Sequence, residues 1–93
     1  MPYDVLGTDY FITTNSTAGA MTINLPATPA TGRKITIYDG VGQSTGGNLV
    51  TIQGNGANIA SGGTSAASKT LATVYSSLEV VFNGTIWCGR FVT

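Results

Sequence analysis

Four carboxylates, one thiol and no imidazole are all that this chain of 93 residues offers for proton transfer or nucleophilic attack. Without histidine there is no Ser–His or Cys–His pair to activate a hydroxyl or thiol. Cys88 lies in an apolar run and reads as a small buried hydrophobe. Asp4, Asp9, Asp39 and Glu79 are scattered along the chain, whereas glycoside hydrolysis needs two carboxylates held a few ångströms apart. A metal site fares no better: there is no His/Cys cluster and no acidic calcium loop. Asp39-Gly40, with Gln43 and Ser44 nearby, supplies oxygens, but a single carboxylate holds calcium weakly and a turn is the simpler reading. No catalytic, cofactor-binding or metal-ligating residue is therefore predicted, and the chain is not expected to be an enzyme. Tyr38 and Asp39 remain as candidate ligand contacts, since a tyrosine beside a carboxylate can stack on a sugar and hydrogen-bond it. The competing reading has Tyr38 covering a neighbouring strand or subunit. Tyr10 is the other candidate aromatic platform.

The rest of the composition concerns architecture. The chain is 42% hydrophobic and only 9% charged, with net charge zero. No basic patch is available for a phosphate backbone, so nucleic-acid binding is not expected. No apolar run reaches the length of a membrane span, and the first residues lack the basic and apolar blocks of a secretion signal. One cysteine excludes an intrachain disulfide. Asn15-Ser16-Thr17 and Asn83-Gly84-Thr85 match the glycosylation pattern but read as turns. "GNGANI" lacks the third glycine and the helix of a dinucleotide loop.

Short alternating runs predict the elements. "DYFITTN", "AMTINLP", "RKITIYDG" and "NLVTIQG" read as strands, with Met21, Ile23 and Leu25, then Ile35 and Ile37, then Val50 and Ile52 facing inward. Pro26 ends the second, because proline has no N–H for a ladder. A polar stretch at about 54–68 is expected to be a long surface loop or a short edge strand. "TSAASKTLATV" is at most a helical turn, and "KTLATVYSS" has no clean period. The expected fold is all-β: one compact domain over residues 1–93, a sandwich or β-roll of about six to eight short strands with a C-terminal hairpin.

That hairpin poses the main question. Asn83-Gly84 between apolar runs predicts a two-residue turn pairing Phe82 with Thr85, Val80 with Trp87 and Leu78 with Gly89, with Glu79 diagonal to Arg90. The opposite face then carries Val81, Ile86 and Cys88, so the ribbon is apolar on both sides. Either an opposing sheet or a second copy of the chain must cover it. A domain this small, without disulfide or metal, gains from association, which makes Val81, Ile86 and Cys88 the candidate subunit interface.

The order of Thr22 to Pro26, Ile35, Ile37, Asp39, Gly42, Asn48, Val50, Thr51, Ile52, Gly54, Gly56, Ile59 and Asn83 to Trp87 resembles a small C-terminal β-domain of tailed-bacteriophage tail-fibre and other appendage proteins. The likeness covers roughly residues 8 to 90 and is built of strands and turns, so it carries no catalytic residue. It implies a non-enzymatic virion protein, a homotrimer contacting other virion proteins, at a fibre tip and engaged in attachment, with a host-surface glycan as a further partner. A capsid decoration protein and a monomeric carbohydrate-binding module are the alternatives. The resemblance fits either an excised domain or a short standalone virion protein.

Overall fold

Apolar residues at every second position become strands with one buried row each. The structure, a computed structural model, describes residues 2–42 and 44–93. Ten strands form among them: β1 (Pro2–Asp4), β2 (Phe11–Thr14), β3 (Met21–Asn24), β4 (Lys34–Asp39), β5 (Val50–Gln53), β6 (Ile59–Ser61), β7 (Thr64–Ala66), β8 (Ser68–Leu71), β9 (Ser77–Phe82) and β10 (Trp87–Val92). The only helical segment among the described residues is a 3₁₀ turn at Gly46–Asn48. In β4 the alternation is strict: Ile35, Ile37 and Asp39 are buried, while Lys34, Thr36 and Tyr38 face out.

The strands make two layers. One sheet has the order β1-β3-β5-β8, the other β2-β4-β9-β10-β6-β7. From β1 to β6 the chain alternates between layers, so β1, β3 and β5 run parallel in one sheet and β2 and β4 run parallel in the other. This winding is a β-roll. The next strand of the second sheet, β6, is not beside β4. The β9–β10 hairpin sits between them, β9 antiparallel to β4 and β10 parallel to β6. At one end of the sandwich β7 and β8 close the two sheets with antiparallel edges. Lys69 of β8 ties the layers together there, donating to the carbonyls of Ser61 and Thr64 and to the Thr64 hydroxyl.

The core is the seam between layers. Ile23, Val50, Ile52 and Leu71 from the smaller sheet meet Ile35, Ile37, Ile59, Leu78, Val80 and Trp87 from the larger. Each fully buried side chain of this kind stabilises the fold by roughly 1.5–3 kcal/mol. β-Branched residues dominate because they lose little freedom in an extended backbone.

Two expectations need correction. In the stretch at 54–68 the edge-strand reading holds and the long loop does not: it carries β6, the edge strand β7 and the first residue of β8. Its low hydrophobicity hid these strands because, apart from Gly54 at its start, only Ile59 and Ser61 are buried there; the β7 residues sit at a sheet edge with no buried row to reveal them. This also raises the strand count above the expected six to eight, and "KTL" belongs to β8. Gly54 opens this region with its N–H on the Ala67 carbonyl, and a Cβ there would stand 1.8 Å from the Ala57 carbonyl oxygen.

The second correction is the hairpin register. Phe82 pairs with Trp87, Val80 with Gly89, Leu78 with Phe91 and Glu79 directly with Arg90. The turn is thus four residues long, 83–86, not two. The Asn83 side chain explains it: Oδ1 accepts from the N–H groups of Thr85 and Ile86, while the Asn83 N–H donates to the Ile86 carbonyl. An asparagine folding its own turn in this way outcompetes a tighter mirror-image turn. A two-residue mirror-image turn would need positive φ at both Asn83 and Gly84; only Gly84 has it, at 102°. A slip of two residues preserves which side chains share a face, so the inward row still holds Leu78, Val80, Phe82 and Trp87.

Trp87 is 0% exposed, and its ring meets Phe82 at 5.3 Å between centroids. Trp87→Ala should cost about 3–5 kcal/mol in urea unfolding followed by circular dichroism. A loss under 1 kcal/mol would place the ring outside the structural core.

Candidate functional site

The outer face of the six-stranded sheet collects the residues that the hairpin turns away from the core. Val81 of β9 pairs with Cys88 of β10 on one side and Lys34 of β4 on the other. Glu79 lies between Thr36 and Arg90, and the Arg90 Nε meets the Glu79 Oε1 at 3.2 Å. Lys34, Glu79, Val81, Cys88 and Arg90 line a shallow depression of about 380 Å³. Val81 is 37% exposed, Cys88 is exposed and Ile86 is half-buried. Within one chain, then, no opposing sheet covers this face, and Cys88 is not the buried hydrophobe expected from its apolar neighbours. Further along the same face stand Phe11, 53% exposed, and Val92. The outer face of the smaller sheet differs: Thr22, Thr51 and Thr70 are in register across it, as are Asp4, Asn24, Gln53 and Ser68.

The predicted Tyr38–Asp39 pair is split by the strand itself. Successive side chains on a strand point to opposite faces. Tyr38 faces out, half-buried, with its ring tilted against Phe11 at 6.3 Å. This is the covering role weighed against ligand contact. Asp39 points inward and is 0% exposed. Its Oδ2 accepts the N–H groups of Ser44 and Tyr75, both at 3.0 Å, and its own N–H donates to the Ser76 carbonyl. Asp39 is therefore a structural anchor, not a ligand contact. It draws the loop after β4 and the turn before β9 onto one carboxylate. Ser44 continues the network, donating to the Leu71 carbonyl and accepting from Val50 N–H. These oxygens are committed to protein donors, which removes the calcium reading; Gln43 lies outside the described residues. Gly42, at φ 68°, packs under the Tyr75 ring, which a Cβ would strike at 2.3 Å.

A second feature, at the end of the sandwich opposite Lys69, was only partly visible in the sequence. Tyr10 is 77% exposed, and Tyr3 and Leu6 stand near it in sequence, also exposed. The Tyr3 hydroxyl donates to Asp9 Oδ2 at 2.6 Å, and the Leu6 N–H donates to the same oxygen at 2.9 Å. Arg33 clamps the connecting loop by donating from one guanidinium nitrogen to the carbonyls of Leu6 and Asp9. The Tyr3 hydroxyl, then the Leu6 N–H, hold the Asp9 carboxyl below its ordinary range; burial opposes this slightly and Arg33 adds to it. Tyr3 is raised in turn, chiefly by its hydrogen bond to Asp9. The spacing of Tyr3, Asp9 and Arg33 gives no sequence signal, because the three meet only when β1 and β2 fold onto different sheets.

Comparison with known proteins adds no family: no protein-family model matches the chain, and no curated protein matches it.

Asp39→Ala removes the acceptor of one buried and one part-buried N–H group and should lower stability by about 2–4 kcal/mol in urea unfolding; a change within 0.5 kcal/mol, the range of an ordinary surface substitution, would refute the anchor. The Tyr3–Asp9 pair has a defined pH window. Asp9 is lowered, so its contribution is present above its unfolded pKa and lost as pH falls through the folded value. Tyr3 is raised, so its contribution is lost as pH rises through its folded value. An NMR titration should therefore place Tyr3 above the ordinary phenol value of about 10, and Asp9→Asn should bring it down.

Proposed function

We propose that this protein is a non-enzymatic assembly and attachment module of a bacteriophage virion appendage, which associates with copies of itself, as a homotrimer, through the outer face of its six-stranded sheet. The observation that carries the reading is Val81 and Cys88 side by side and exposed in the middle of a sheet. A central sheet position that is apolar and uncovered needs a partner surface. Size supports the choice of face. The molecule measures 34 × 28 × 18 Å, and a stable interface buries about 800 Å² per partner. Only the two broad sheet faces approach that area. Of these, the smaller sheet presents hydroxyls and amides, and the larger presents Val81, Cys88, Phe11 and Val92.

Charge supports a self-contact as well. Lys34 and Arg90 bring positive charge and Glu79 brings negative charge to the same depression. A surface that meets copies of itself needs both signs. The near-neutral composition keeps repulsion between copies small. The virion context rests on the resemblance of the strand-and-turn order. The structure gives physical roles to several of its positions, among them Asp39, Gly42, Gly54 and Asn83.

The test is sedimentation velocity at high micromolar concentration. The wild type should sediment as a trimer. Val81→Lys, placed beside Lys34, should shift it to monomer while its circular dichroism stays unchanged, because Val81 contacts no opposing layer. A monomeric wild type, or a variant that still assembles, would refute the interface.

A further inference from the structure

Opposite the Lys69 end, the two sheets part enough to leave a cavity of about 300 Å³ between β1, β2 and β3. Its deeper wall is apolar, formed by Ile12, Met21 and Ile23. Tyr3 and Asp9 also line it. The Tyr3 ring is pinned by its hydroxyl on Asp9 Oδ2, and Asp9 Oδ1 takes no donor among the described residues. Arg33 holds the rim loop through the carbonyls of Leu6 and Asp9, so the site is formed before any ligand arrives. Its guanidinium also adds to what holds the Asp9 carboxyl below its ordinary range, after the Tyr3 hydroxyl and the Leu6 N–H.

We propose that this cavity binds the ring of a neutral hexopyranose, with the apolar C–H face of the sugar against Tyr3 and the isoleucine–methionine wall and a hydroxyl donating to Asp9 Oδ1. The chemistry narrows the ligand. A wholly apolar guest would strand the carboxylate oxygen. An anion would face that carboxylate. A pyranose has one face of C–H groups and a rim of hydroxyls, which suits an aromatic wall beside an acceptor. The cavity volume accommodates one such ring, so a single terminal sugar is the fitting unit. This deepens the attachment part of the reading above and rests on it, but uses a different end of the molecule from the Val81 face.

The probe is a panel of methyl hexopyranosides (gluco, galacto and manno) titrated into the intact protein, with methyl resonances of Ile12, Met21 and Ile23 observed by NMR. At least one member should give saturable shifts at those methyls. Tyr3→Ala and Asp9→Ala should each weaken it by about tenfold or more, with circular dichroism confirming the fold of each. No saturable shift with any member would overturn the proposal, as would unchanged affinity in both variants. Tighter binding of tetramethylammonium or of an anionic sugar would overturn the neutral-ligand assignment. A negative titration of a protein that sediments as a trimer leaves the assembly reading standing. Saturable binding by a monomeric wild type refutes assembly and not this site.

Discussion

The structure depends on one insertion. The β-roll of β1 to β6 would place β6 beside β4, completing three parallel windings. The β9–β10 hairpin takes that place and fills the centre of the larger sheet. It fits because its inward row is the most apolar in the chain, with Leu78, Val80 and Trp87 all fully buried. It fits also because Gly89 has no side chain: a Cβ there would lie 3.2 Å from Val80 Cγ1 and 3.3 Å from Ile59 Cγ2. The hairpin at residues 77–92 thus occupies the middle of the larger sheet. Contacts between distant parts of a chain form slowly, because loop closure precedes the contacts that reward it. The roll alone would leave β4 and β6 with unpaired edges, so its larger sheet is complete only when the hairpin docks.

The buried carboxylate follows from the same insertion. With β9 seated next to β4, the turn before β9 comes to rest against the loop after β4. Both segments turn backbone N–H groups inward, and the Asp39 carboxyl oxygen accepts from both. Asp39 stands where it serves both. The Tyr75 backbone, at φ 56°, and the Gly42 beneath its ring are the local consequences. A non-glycine residue at positive φ carries strain of order 1 kcal/mol or more and persists where its surroundings fix it. Here the Asp39–Tyr75 hydrogen bond does so.

Much of this was legible in the sequence, but unevenly. The inward rows of β3, β4 and β5 could be read from alternation alone, because each buries one face and exposes the other. The two sides of the hairpin could be read for the same reason, even with its register two residues off. The register itself could not, since Asn83 hydrogen-bonding its own turn is a side-chain event that the dipeptide Asn-Gly does not announce. β7 could be read only as one of two alternatives, loop or edge strand, because edge strands bury little. Tyr38 and Asp39 were paired by adjacency, although adjacency on a strand separates side chains. The Tyr3–Asp9–Arg33 arrangement was beyond reach, as it joins both layers across 24 residues or more of chain.

The two faces of the sandwich now account for the unusual composition. A protein with so few charges has little to keep every surface wet, and it places three of its eight charged residues around Val81 and Cys88. Spread evenly, they would favour a monomer. Gathered at the centre of one sheet, they flank an apolar strip with both signs, which under the proposed self-association would set orientation between copies while the strip would supply contact area. Isolated exposed ion pairs contribute at most about 1 kcal/mol, so Glu79 and Arg90 explain little of the stability of a single chain. Under the proposed assembly their position acquires a role: water would leave such a pair when a second surface covers it, and the pair would then discriminate among partners far more than it stabilises any one of them.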